Sequence, residues 1–149
     1  MALTHPSTSA DTTPEPPVSA YLERPDYRVD ILRRRNRVRA YLGDQLIAET
    51  VDVLLVDEQD HGLVFYFPAD DVRMDLLVPT DHHTRCPFKG VASYWSVAGA
   101  GADGENVVWG YLDPFPEVER LRDHVAFYQD KLRIEVGVAP RVVPSACGI

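Results

Sequence analysis

Between Pro79 and Val97 the chain gathers most of the side chains able to do chemistry. Asp81, His82, His83, Arg85, Cys86, Lys89 and Gly90 fall within ten residues of one another. Cys86 is a candidate nucleophile, because a thiol gains reactivity when positive charge stands near it, and Arg85, Lys89, His82 and His83 are close in sequence. The plain alternative is a small buried hydrophobe whose loop is stiffened by Pro87. His82 or His83 with Cys86 also has ligand-like spacing, with Asp81 or His124 able to complete a tetrahedron. One soft ligand plus imidazoles is a weak metal signal, and no metal site is assigned.

Lys89-Gly90 is the third feature. The chain has two lysines against thirteen arginines, so a lysine beside a glycine suits a compact charge where backbone comes close to a phosphate or carboxylate. Its alternative is a turn glycine with an exposed lysine next to it. Tyr94, Trp95, Trp109, Tyr111, Phe127 and Tyr128 are the fourth feature. In strands Tyr94 and Trp95 face opposite ways, whereas Trp109 and Tyr111 share a face. One set belongs to the core and the other can wall a pocket. Asp70, Asp71 and Asp75 could hold Mg²⁺, but acids around a helical turn more often act as caps.

The elements that must position these groups are short. Tyr27, Val29 and Ile31 alternate with Arg28 and Asp30, and Val38, Ala40 and Leu42 alternate with Arg37, Arg39 and Tyr41, which is the period of half-buried strands. Gly43-Asp44 predicts a tight hairpin turn back through Gln45 to Val51. Val53–Val56 continues as strand, Asp57–Gly62 reads as a polar turn, and Leu63–Phe67 as a buried strand ended by Pro68. The His/Cys/Lys segment reads as a loop before a strand over Val91–Ala98. Strands over Asn106–Leu112, Val125–Tyr128 and Leu132–Val136 follow. Pro116 and the acids after it predict one helix over Glu117–His124.

These signals predict a mostly β single domain, a small sandwich or partly open barrel with one short helix, over residues 25–137. Residues 1–24, rich in Ser, Thr, Pro and Ala, read as a disordered tail, and 138–149 as a second tail. The 149 residues are 45% hydrophobic and 26% charged, ordinary for a soluble protein. A net charge of -8 disfavours general binding to nucleic acid or anionic membranes. Arg28, Arg33, Arg34, Arg35, Arg37 and Arg39 crowd one early stretch, either an ion-paired face or a partner surface. Two cysteines, no secretory signal and no long apolar run lead to the expectation of a cytoplasmic protein.

A resemblance adds to this reading. Phe65-Tyr66-Phe67-Pro68 with Asp71-Val72, Thr84-x-Cys86-Pro87-Phe88-Lys89-Gly90-x-Ala92-x-Tyr94, Trp109-x-Tyr111-x-Asp113-Pro114 with Glu117, and Val125-Ala126-Phe127-Tyr128 resemble domain-of-unknown-function family 427 (DUF427) over about 37–136. The resemblance implies a β-tent-like fold, a group with zinc-binding and small-ligand-binding modules, and a catalogue label of nucleotidyltransferase. The chain has no pair of Cys-x-x-Cys knuckles, no Gly-Ser with a following Asp-x-Asp, and no Gly-x-x-x-x-Gly-Lys-Ser/Thr loop. The reading that follows is a module binding an anionic small molecule or nucleotide. Tyr94, Trp109 and Tyr111 would wall the pocket, and Lys89, Gly90, Arg85 and His83 would anchor the ligand. The alternatives are an enzyme using Cys86 and Lys89 or metal-assisted nucleotidyl transfer, and a protein-interaction domain. The sequence names no cofactor and no oligomeric state.

Overall fold

A computed structural model describes residues 17–139. Ten strands form two antiparallel sheets: β1 (Val29–Arg34), β2 (Val38–Leu42), β3 (Gln45–Thr50), β4 (Val53–Glu58), β5 (Val64–Pro68), β6 (Leu77–Cys86), β7 (Gly90–Val97), β8 (Val108–Tyr111), β9 (His124–Phe127) and β10 (Arg133–Val136). Seven strands make the large sheet in the order β1-β4-β5-β9-β8-β7-β6, and β10-β2-β3 make the small one. The mostly β expectation therefore holds, in its two-sheet form; no closed barrel is present among the described residues.

Hydrophobic alternation explains why the sheets meet. Inward residues of the small sheet (Val38, Ala40, Ile47, Ala48) pack on one face of the large sheet, where Val53, Phe67, Trp95, Val97, Val108, Val125 and Phe127 lie. The residues between them point the other way and build a second cluster from Leu54, Val56, Tyr66, Ala92, Tyr94, Tyr111 and Ala126. Phe115, Val118 and Leu121 cover part of that face. The large sheet is thus apolar on both sides, and what its second face does not bury becomes the site. Val51-Asp52 is where the chain leaves the small sheet for the large one. Gly43, with φ +59, makes the expected two-residue turn between β2 and β3, whose ends pair Leu42 with Gln45.

Three expectations are corrected. The His/Cys/Lys segment expected as a loop is largely strand: β6 runs from Leu77 to Cys86 at the sheet edge, with a bulge between Pro79 and His83, and only the hairpin turn Pro87-Phe88-Lys89 is loop. Its polar sequence suits an edge, where one side has no neighbour and Pro can be accommodated. The helix over Glu117–His124 is instead a pair of 3-10 turns over Pro116–Leu121, broken at Val118 (φ -124°, ψ 29°). A starting proline and early acids favour any helical first turn, so they do not distinguish the two.

The third concerns residues 17–24, expected as part of a tail over 1–24, which carry ordered structure. Ala20–Leu22 form a 3-10 turn, and the Ala20 amide donates to the Pro87 carbonyl at 2.9 Å. Tyr21 meets Phe88 in an edge contact at 5.0 Å and Tyr27 stacks on the Phe88 ring at 3.6 Å. This strap holds the Pro87–Lys89 turn. The remainder of that tail, residues 1–16, and most of the C-terminal one, 140–149, lie outside the described residues. Among the described residues no helix is long and apolar enough to cross a membrane.

Candidate ligand-binding cleft

On the second face of the large sheet lies a cleft of about 440 Å³. Strand register explains its walls. Leu54, Tyr66, Ala126, Trp109 and Tyr94 form one continuous row across five neighbouring strands. Ala126, the smallest of them, lets the aromatics on either side meet over it, and the Trp109 indole Nε1 donates to the Tyr66 hydroxyl at 3.2 Å. Tyr111 and Ala92 form the next row. Tyr128 extends the wall outward, its ring 5.0 Å from Trp109 and 6.5 Å from Tyr94.

At one end of these rows sits a buried ion pair. Lys89, carried on the hairpin turn, donates from Nζ to Glu58 Oε1, and the two side chains are only 7% and 11% exposed. Glu58 Oε2 accepts from the Tyr27 hydroxyl at 2.6 Å, and His61 Nε2 stands 3.5 Å from it. Burial pushes the Glu58 carboxyl up, but hydrogen bonds from Lys89 and Tyr27, with the charge of Lys89, outweigh it and hold the group below its ordinary value. Burial and the bond to Glu58 raise Tyr27 to about 12.

The cysteine is part of the same array. Cys86 Sγ lies 3.9 Å from Lys89 Nζ, and Tyr66 and Tyr111 line the same cleft. Burial is the main cause that raises both Tyr66 and Tyr111, so these hydroxyls are neutral donors at physiological pH. A hydrogen bond with Tyr94 does the same for Tyr128, raised to about 12.

The cleft therefore brings together Cys86, Lys89, Tyr94, Trp109 and Tyr111 from the residues singled out in the sequence. Gly90 supports it from behind. Its φ of +119 and the Asp113 carbonyl, 3.3 Å from where a side chain would begin, leave room only for glycine. His83 and Arg85 do not join the cleft. Cys86 pairs with Gly90 and Thr84 with Ala92, so the residues between them point to the other face of β6. There His83 Nδ1 is 3.3 Å from the Ala92 carbonyl. His82 and Thr84 are the cleft-side residues instead: the His82 ring is 4.5 Å from that of Tyr94, and Thr84 Oγ1 is 2.9 Å from its hydroxyl.

The acidic candidates are elsewhere. Asp71 accepts from Thr50 at 2.7 Å and Asp75 pairs with Arg73 at 3.0 Å, on turns joined to the small sheet through Val72 and Arg73. Among the described residues no three His, Cys, Asp or Glu side chains gather as a metal site. The arginine-rich stretch is largely ion-paired: Arg28 with Asp30 and Asp57, Arg33 with Asp52, Arg39 with Glu49. Sequence reasoning missed Glu58, Tyr66 and Tyr27. The signal for Glu58 was period two, since Leu54, Val56 and Glu58 alternate onto one face.

An antiparallel two-sheet β domain with one aromatic cleft around a buried lysine is the class these features define. The chain belongs to the family described as a domain of unknown function (DUF427), whose sequence profile matches residues 16–138. That span exceeds the 37–136 expected and takes in the Ser19–Tyr27 strap. No curated protein matches the chain significantly.

Proposed function

We propose that this chain is a small-molecule-binding domain and that the cleft takes a ring-bearing ligand with one anionic or acceptor group. The observation that carries the reading is the cleft itself: 440 Å³ with aromatic walls and a buried lysine at one end. Such sites are mostly apolar, with a few placed polar groups. The ring would lie among Tyr94, Trp109 and Tyr128, and its oxygen would accept from Lys89. An ammonium has three donors; Glu58 and Cys86 engage two, which leaves one for a ligand.

The pair with Glu58 narrows the anionic expectation. The local charge of Lys89 is balanced, and Arg85 faces away, so among the described lining residues a polyphosphate meets no arginine or second lysine at this end of the cleft. A single carboxylate or carbonyl fits better than a nucleotide's phosphates. Thiol-dependent catalysis is the second reading, favoured by the 3.9 Å approach of Lys89 to Cys86. Nucleotidyl transfer at Asp71 or Asp75 is disfavoured, since those acids are tied to Thr50 and Arg73.

Native mass spectrometry of the purified protein tests the reading. A bound small-molecule mass, or one acquired from an aromatic carboxylate panel, should be lost in Trp109→Ala and weakened in Lys89→Ala. Equal binding by the wild type and both variants would place any ligand outside the cleft.

A further inference from the structure

Phe88 is an apolar ring buried by a segment that is not itself buried. It is only 9% exposed, yet it belongs to neither core cluster. Its ring partners, Tyr21 and Tyr27, lie on residues 17–27, none of which is buried and none of which lies in a strand. This strap bonds to the rest of the domain from the Ala20 amide to the Pro87 carbonyl, from the Tyr27 hydroxyl to Glu58 and from the Ser19 hydroxyl to Glu117. Glu58, Pro87, Phe88 and Tyr27 itself all line the cleft. The contacts that seat the strap are therefore those that shape the Lys89 end of the cleft. The Lys89 backbone is held independently, its carbonyl accepting from the Phe115 amide at 3.0 Å. What the strap governs is side chains: Tyr27 holds Glu58, and Glu58 holds the ammonium. A segment with so few buried contacts opens locally while the sheets stay folded.

We infer that residues 17–27 open as a unit and are closed by the ligand, a step that rests on the cleft being the binding site. Seated, the strap aims the ammonium whose remaining donor the ligand's oxygen takes. With the strap open, Glu58 loses Tyr27 and Phe88 loses its cover. The ammonium and its carboxylate can then turn, and binding must order them again. The ligand thus binds the seated form more tightly and holds the strap down. Such coupling is reciprocal: the factor by which the ligand suppresses opening is the factor by which opening weakens the ligand.

Amide hydrogen exchange of the full chain, followed by NMR with and without saturating benzoate, reads the strap, while the Trp109 indole shift reads occupation of the cleft. In the free protein the Ala20 and Tyr27 amides should exchange well before those of β7 and β8. Benzoate should slow the strap amides about fivefold or more and leave those of the small sheet unchanged. Ala20→Pro removes the amide that donates to Pro87, and Ser19 already has the extended backbone that precedes a proline (φ -64°, ψ 128°). It should weaken benzoate by up to the factor measured by exchange. Tyr21→Ala should do the same, whereas Tyr21→Phe, which keeps the ring against Phe88, should bind as the wild type does. The β7 and β8 amides should exchange at wild-type rates in all three variants. A Trp109 shift with strap exchange unaltered, and wild-type affinity in both Ala20→Pro and Tyr21→Ala, would overturn the inference and leave the binding reading standing. Benzoate that moves neither the Trp109 indole nor the strap amides would overturn both. Faster strap exchange with benzoate, or tighter binding in Ala20→Pro, would overturn the inference, because the strap would then obstruct the cleft. Faster exchange across β7 and β8 in the variants would overturn it as well, by making the strap an ordinary part of the fold.

Discussion

Replacing Lys89 with Met keeps the length of the side chain and removes its charge. Glu58 is then left as a carboxylate only 11% exposed, with the Tyr27 hydroxyl as its close partner. Breaking a buried pair from one side costs about 3–5 kcal/mol, and the surviving 2.6 Å bond from Tyr27 argues for the lower end, about 3 kcal/mol. Lys89→Met/Glu58→Gln should recover most of this, because glutamine still accepts from Tyr27 and no charge remains buried. A residual loss of about 1 kcal/mol is expected, since a buried pair replaced on both sides is close to neutral. With a urea dependence of about 1.5 kcal/mol per molar, the single variant should unfold about 2 M earlier than the wild type and the double variant less than about 1 M earlier. Trp95 and Trp109 fluorescence reports the transition. A single variant as stable as the wild type, or a double variant showing the full sum of both single losses, would refute the claim that the two groups are buried against each other.

Other consequences follow from the same geometry. Gly110→Ala places a methyl group 2.8 Å from the His124 carbonyl and 3.3 Å from Val125 Cγ1, so β8 and β9 must separate; a loss of about 2 kcal/mol in chemical denaturation is expected. Because Glu58 titrates below its ordinary 4.5 in the folded protein, its contribution is complete above that value and is lost as pH falls through the folded one. Glu58→Gln should flatten the acid limb of a stability–pH curve. Tyr27 has the opposite sign: its value rises from 10 to about 12, so its contribution is complete below pH 10 and is lost as pH rises toward 12. Tyr27→Phe should remove that alkaline loss, measured by thermal unfolding across the range.

Most of the strands were legible because one face of each is buried and the other is not, which imposes alternation. The opposed placement of Tyr94 and Trp95, and the shared face of Trp109 and Tyr111, followed from that period alone. β6 was obscured because an edge strand need not alternate: of its ten residues only Leu77 is buried. Reading it as a loop also hid its parity, which places Thr84 and Cys86 toward the cleft and His83 and Arg85 away from it. In sequence Glu58 reads as part of a polar turn, because acids in Asp57–Gly62 resemble a solvated connection. Its partner is thirty-one residues away, and a pairing across two hairpins leaves no local mark. Tyr27 and the strap were lost for the same reason, their contact with Phe88 being set by the fold rather than by neighbours in sequence.

The central claim is that the face bearing Trp109, Tyr111 and Lys89 receives a small molecule. Two-dimensional NMR of the labelled protein, titrated with benzoate and p-nitrophenol, tests it most directly. The account predicts saturable shifts at the Trp109 indole, Lys89, Tyr94 and Tyr111, with His83 and Arg85 unmoved. Shifts confined to His83, Arg85 or the Arg33–Arg39 stretch, with the Trp109 indole unmoved at saturation, would contradict it.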